Sequence, residues 1–392
     1  MKNFSYHIPT RFVFGRGVEA EAGPQVRELG ATKALIVYGG GSAVRSGLIG
    51  RVEASLDGAG VAHVALGGVK PNPRDVLVYE GIELVRREGV DCILAVGGGS
   101  VIDTGKAIAH GSCYDGDFWD FFCGKAKPER TLPVGAVLTM AAAGSESSNS
   151  CVITQEATKT KRGLRTELNR PRFALLNPEL PMTLPPYQIA CGATDILAHI
   201  MERYFTGEAD VDLTDRLCEG AMLAVIRAAR VAVKDPHDYD AQCQLMWGST
   251  IAHNDTLAVG RTQDWGSHQI EHELSALYDV PHGAGLAVVF PAWMRYHMEK
   301  NVMRFAQFAV RVYGCGMDFE HPEKTALRGI EAHEAFLRDI GMPVTLRELG
   351  ARPEDIPALA AHTKKTNPDG TTGGVFPMTP ADIEAILRLA DR

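Results

Sequence analysis

The chain has 392 residues, 45% of them apolar and 22% charged, with a formal net charge of −8. That length exceeds one ordinary core and predicts two packed domains, while the composition excludes a disordered, collagen-like or coiled-coil chain. The acidic balance excludes a polyanion-binding surface, so nucleic acid is not an expected partner.

The start, Met1 to Pro9, has no apolar run of signal-peptide length, and no later run approaches a membrane span. No membrane association is expected, and the predicted location is cytoplasmic. Cys92, Cys113, Cys123, Cys151, Cys191, Cys218, Cys243 and Cys315 contain no CxxC pair, which fits reduced thiols rather than a disulfide framework or a thiolate zinc site.

From residue 33 to about 180, short β-branched or apolar runs alternate with helical patterns, as βα units around a mostly parallel sheet do. Ala34 to Tyr38 and Cys92 to Val96 read as strands, and each runs into a glycine cluster: Gly39, Gly40, Gly41 and Ser42, then Gly97, Gly98, Gly99 and Ser100. Glycines there let backbone N–H groups approach a phosphate, and the following helix N-terminus adds partial positive charge. Neither cluster is the GxGxxG fingerprint or a P-loop. Gly97 to Lys106 is the better pyrophosphate candidate. No acidic residue lies between Leu35 and Ser46 to hold an adenosine ribose 2′-OH, and Ser42 and Arg45 stand close by, which favours NADP(H) over NAD(H). Thr131 to Leu138 reads as a further strand running into the small-residue loop Thr139 to Ser150.

Near Leu184-Pro185-Pro186 the pattern becomes helical and stays so. The predicted organisation is an α/β dinucleotide-binding domain over residues 1–184 with a mostly parallel sheet, then an all-helical metal-binding and catalytic domain over 185–392.

Asp195 and His199 stand at i and i+4 of the first long helix after the boundary, a spacing that suits two ligands on one ion. His268 and His272 form a second such pair, and His282 follows in a loop expected to return toward them. Glu271 and Glu273 leave open that some of these histidines are solvated partners of acids, and their positions exclude the HExxH pattern. One carboxylate with three imidazoles suits Fe(II), Zn(II), Co(II) or Mn(II). A single Asp leaves a divalent ion with a charge of about +1, which favours the deprotonated form of an alcohol and polarises a carbonyl.

These landmarks, together with Asn72-Pro73, the GGGSxxDxxK run from Gly97 to Lys106, and Thr139 with Gly144-Ser145-Glu146, resemble the iron-containing (group III) alcohol dehydrogenases over essentially the whole chain. The resemblance implies a cofactor and a metal in a cleft between the two domains. It assigns Asp195, His199, His268 and His282 as metal ligands and His272 as a non-ligand histidine for proton transfer. Asn72, Asp103, Thr139, Ser145 and Lys161 join the two glycine loops as cofactor-binding residues. The glycine-rich first loop, with Gln263-Asp264-Trp265, looks most like the butanol-dehydrogenase-like branch of NADPH-dependent aldehyde reductases. Ala143 stands where relatives usually carry Thr. The expected ion is Fe(II), with Zn(II) suited to the same ligands, and the expected substrate is a small aliphatic aldehyde or primary alcohol. A homodimer is expected from the resemblance, with Phe12-Val13-Phe14 a candidate edge strand. The competing readings are an NAD-linked diol or polyol dehydrogenase, a dehydroquinate-synthase-like lyase, for which Arg261 to Leu286 supplies one cation only, and a silent nucleotide- and metal-binding protein.

Overall fold

The computed structural model describes all 392 residues and divides into two compact units, His7–Thr183 and Leu184–Arg392, the latter joined by Met1–Tyr6. The first six residues thus pack on the helical unit rather than continuing the α/β one. Lys2 N donates to Gly260 O at 2.9 Å, and Tyr6 Oη lies 2.6 Å from Thr256 Oγ1.

The α/β unit is built on a six-stranded sheet of β1 (Arg11–Phe14), β2 (Lys33–Gly39), β3 (Ala62–Val69), β4 (Cys92–Gly97), β5 (Val134–Leu138) and β8 (Phe173–Leu176). Between β5 and β8 the chain forms a separate antiparallel hairpin of β6 (Ser150–Gln155) and β7 (Thr160–Arg165). The sheet order is β1-β8-β5-β4-β2-β3, and all neighbours are parallel. β4 is buried at every position and β5 likewise, which is why both read as continuous apolar runs rather than alternating ones. Phe12-Val13-Phe14 lies on the edge strand β1.

The connection from β2 steps to β3 on one side, whereas that from β4 steps to β5 on the other. The chain therefore reverses direction between β2 and β4, and the carboxyl ends of those two strands flank the crevice where doubly wound sheets bind ligands. Both glycine clusters lie there.

The helical unit begins with helix Pro186–Tyr204, entered through Pro185 and with Pro186 in its first turn, and continues through Asp212–Ala232, Tyr239–His253, Gly266–Tyr278 and His282–His297. Residues 189–204 of the first helix are all buried. An amphipathic stripe cannot account for that; the helix is central, enclosed by its neighbours on every side. No helix is long and apolar enough to cross a membrane.

Candidate metal centre

Seven residues along one helix place Asp195, His199 and Glu202 at i, i+4 and i+7, hence on one face. His199 Nε2 lies 3.4 Å from Asp195 Oδ1. Helix His282–His297 meets this helix at Gly283, where a Cβ would fall 2.0 Å from the Cys191 carbonyl oxygen. Only glycine permits that approach. It brings the adjacent His282 one turn along, so that its Nε2 lies 3.7 Å from Asp195 Oδ1.

Helix Gly266–Tyr278 supplies His268. Donor atoms of Asp195, His268 and His282 all lie within 4.8 Å of one another, and the His199 and His268 rings are 4.7 Å apart. All four expected ligands therefore converge. His282 is the first residue of its helix rather than part of the loop expected for it. His272 stands one turn beyond His268, its ring 5.7 Å from that of His282; with Glu271 and His282 it makes a second, overlapping group within the same 4.8 Å span.

Two carboxylates not assigned from sequence complete the setting. Glu202, 0% exposed, accepts from Trp265 N at 2.6 Å, from Ser267 Oγ, and from both His268 N and Nδ1, the latter at 2.8 Å. Glu271, also 0% exposed, bonds His282 Nδ1. The spacing of Glu202 from Asp195 was a usable signal. For Glu271 the sequence offered only adjacency to His272; a histidine does pair with this acid, His282, but Glu271 lies wholly buried against Gly285, so the pairing is not the solvated one left open from the sequence.

Burial pushes His199 well below the usual imidazole range, and the neighbouring His253, His268, Arg203 and His282 add to that, so the ring is neutral and its lone pair available. The His253 ring lies 4.1 Å from it, and Trp265 packs against His199, His253 and His268, with the Arg203 guanidinium over its ring at 4.7 Å. Trp265 takes φ 68°, a left-handed conformation costing a bulky residue about 1–3 kcal/mol, and the Glu202 bond to its N–H helps hold it there.

His268 Nε2 is buried without a hydrogen-bond partner and lies among the donor atoms of Asp195 and His282. An orphaned imidazole lone pair in a group of one carboxylate and three histidines fits a divalent transition metal, and the absence of thiolates fits a catalytic rather than a structural site.

In the α/β unit, Gly97 ends β4, and a Cβ on it would fall 2.4 Å from Val101 Cγ2, so glycine lets helix Gly99–Ser112 fold directly back on the strand. Gly98, Gly99 and Ser100 form its N-terminus. Gly39 ends β2, Gly40 and Gly41 follow, and Ser42 opens a short helix, Ser42–Arg45. Thr139 follows β5 and donates its N–H to Gly97 O at 3.1 Å. Lys161 on β7 donates to Asn72 Oδ1 at 3.1 Å, Asn72 being itself left-handed. Asp103 accepts from Ser145 Oγ and from Val152 N at 2.8 Å. Lys106, 0% exposed, donates to Ser145 Oγ and Ser150 O, each at 2.8 Å, so two residues of the GGGSxxDxxK run brace the loop from 144 to 150.

Family comparison matches iron-containing alcohol dehydrogenase to residues 9–178 and the C-terminal part of the Fe-containing alcohol dehydrogenase family to residues 189–390. The chain is 39% identical over 388 residues to a probable NADH-dependent butanol dehydrogenase of Bacillus subtilis, with 99% of each chain covered. It is 36% identical over 377 residues to an NADPH-dependent aldehyde reductase of Escherichia coli, covering 95% of each. The crystal structure of an NADH-dependent butanol dehydrogenase A from Thermotoga maritima superposes with a TM-score of 0.97 at 39% identity, covering 100% of this chain and 99% of that one. This chain is therefore an oxidoreductase belonging to the iron-containing alcohol dehydrogenase family.

Proposed function

We propose that this protein reduces small aliphatic aldehydes with NADPH, and oxidises the corresponding primary alcohols in reverse, at a metal held by Asp195, His199, His268 and His282. The convergence of Asp195, His268 and His282 donor atoms within 4.8 Å carries the reading. Family membership brings a nicotinamide cofactor and iron with it. A divalent ion at these ligands supplies Lewis acidity toward a carbonyl oxygen.

The remaining tasks fall to the chain. Gly97, Gly98, Gly99 and Ser100, at the switch point of the sheet and the start of a 14-residue helix, hold the pyrophosphate. Gly39, Gly40, Gly41 and Ser42 receive the adenosine ribose and its 2′-phosphate. Asn72, Asp103, Thr139, Ser145 and Lys161 shape the rest of the cofactor site, with Asp103 acting through Ser145. A bound nicotinamide would supply the hydride for the carbonyl carbon, and His272 would pass the proton that the product oxygen takes up. An imidazole exchanges protons readily near neutral pH.

The preference for NADPH rests on the absence of any acid between Leu35 and Ser46 and on Arg45 beside Gly41. The NADH in the names of the Bacillus subtilis and Thermotoga maritima relatives favours the other cofactor. Metal-stripped protein reloaded with Fe(II) or Zn(II) under nitrogen and supplied with butanal decides between them. Metal-dependent consumption of NADPH in preference to NADH is expected. Preference for NADH overturns the cofactor assignment, and no turnover with either overturns the reductase reading.

A further inference from the structure

The two buried glutamates at the metal centre take no place among the four ligands, yet each engages one ligand histidine through the nitrogen that points away from the others. Glu202 Oε1 lies 2.8 Å from His268 Nδ1, and Glu271 Oε2 bonds His282 Nδ1. A carboxylate can only accept. Both rings are thereby held with the proton on Nδ1 and the lone pair on Nε2. His282 Nε2 then faces Asp195 Oδ1 at 3.7 Å, and His268 Nε2 is left without a partner among the same donor atoms.

Resting on the ligand assignment proposed above, we infer that Glu202 and Glu271 are positioning residues that select the metal-binding tautomers of His268 and His282. Glu202 does so from the same helix face as Asp195 and His199. Its second oxygen takes the Trp265 N–H at 2.6 Å, and its first also takes the His268 N–H, so one side chain sets both the start of helix Gly266–Tyr278 and the orientation of the ring on it. Glu271 is seated by Gly285 on the facing helix, where any side chain would collide with it. His199 lacks such an acid: its Nδ1 has no hydrogen-bond partner, and its ring is held instead between His253 and Trp265. The two kinds of support separate the ligands into two oriented by charge and one oriented by packing.

Glu202→Gln isolates the effect. Its amide keeps the shape but has one accepting oxygen. If that oxygen serves the Trp265 N–H, the NH2 group faces His268 Nδ1 and drives the proton to Nε2, the ligand atom. Co(II) affinity, measured by chelator competition on the full-length protein, is expected to fall about 10–100-fold in Glu202→Gln and in Glu271→Gln. The d–d spectrum of the Co(II) protein should change with it. A purely structural role is separated by a double-mutant cycle: in a His268→Ala background, Glu202→Gln should cost no further Co(II) affinity, whereas Glu271→Gln should still cost its full amount. Full additivity of Glu202→Gln with His268→Ala, or unchanged affinity with only a lowered Tm, overturns the inference. Unchanged Co(II) affinity in His268→Ala alone overturns the ligand assignment beneath it. Selective 15N-histidine labelling of the Zn(II)-loaded wild-type protein reads the tautomers without any variant. Protons on Nδ1 of both His268 and His282 are expected, and a proton on Nε2 of either refutes its assignment.

Discussion

Gly285 faces Glu271 so closely that a Cβ on the glycine would fall 2.7 Å from both Cγ and Oε1 of the glutamate. The carboxylate is pinned between this glycine and the His282 ring it bonds. Gly285→Ala is therefore expected to displace Glu271, weaken Co(II) binding about tenfold and lower stability by about 1–3 kcal/mol. Chelator competition alongside urea denaturation checks both. Unaltered Co(II) affinity with a clear stability loss would show that the glycine serves helix packing alone.

His272 lies one turn past a ligand but outside the Asp195, His268 and His282 group. His272→Ala is expected to lower kcat about 10²–10⁴-fold while bound metal stays stoichiometric. His268→Ala should instead bind metal more weakly and be purified with less than one ion per chain. Metal analysis of the two purified variants distinguishes them, and loss of metal from His272→Ala would move that residue into the ligand set.

Gly40 has no atom within 4 Å of its would-be Cβ and no positive φ, so a side chain is tolerated there. Gly40→Asp places a carboxylate where the 2′-phosphate is proposed to sit. Repulsion between like charges is expected to shift the NADPH-to-NADH ratio of kcat/KM by at least about tenfold toward NADH. An unchanged ratio would place the adenosine ribose elsewhere.

Glu208 clamps the N-terminal segment to the strand of chain that leads into the metal helix. Burial acts to raise its pKa, but hydrogen bonds from Thr206, from the Thr262 N–H and hydroxyl, and from Lys2 outweigh that and bring it down to about 2. A depressed acid stabilises the fold above its unfolded pKa and loses that contribution as pH falls through the folded one. Glu208→Gln should therefore cost about 1.5–3 kcal/mol at pH 7 and little near pH 2. Denaturation at a series of pH values gives the slope; a cost independent of pH contradicts it.

His297 is 0% exposed, stacks on Phe376, and has no hydrogen-bond partner on either ring nitrogen. Burial, with Lys300 adding to it, brings its pKa down to about 3. Its stability cost grows as pH falls from the unfolded value near 6.5 toward 3, because the unfolded chain binds the proton first. His297→Phe keeps the stacking, and should raise stability by about 1 kcal/mol at pH 7 and by more at pH 4.5. A loss at both pH values would mean that the ring makes a polar contact worth keeping.

The chain's own periodicities determined the α/β unit, the helical unit and the change of pattern near Leu184. Strands buried on both faces are written as unbroken apolar runs, and Cys92 to Val96 is one. The ligand pairs Asp195 with His199 and His268 with His272 were legible because helical spacing is a local property. Sequence order could not say that β2 and β4 are neighbours with their glycine loops side by side, since strand order depends on long-range pairing. Nor could it show that His282 reaches Asp195, which depends on a glycine allowing two helices to touch at Gly283 and Cys191. The roles of Glu202 and Glu271 depended on direction as well as spacing. A buried acid and an exposed one are the same letter, and only the packed helices turn these two toward the far nitrogens of His268 and His282.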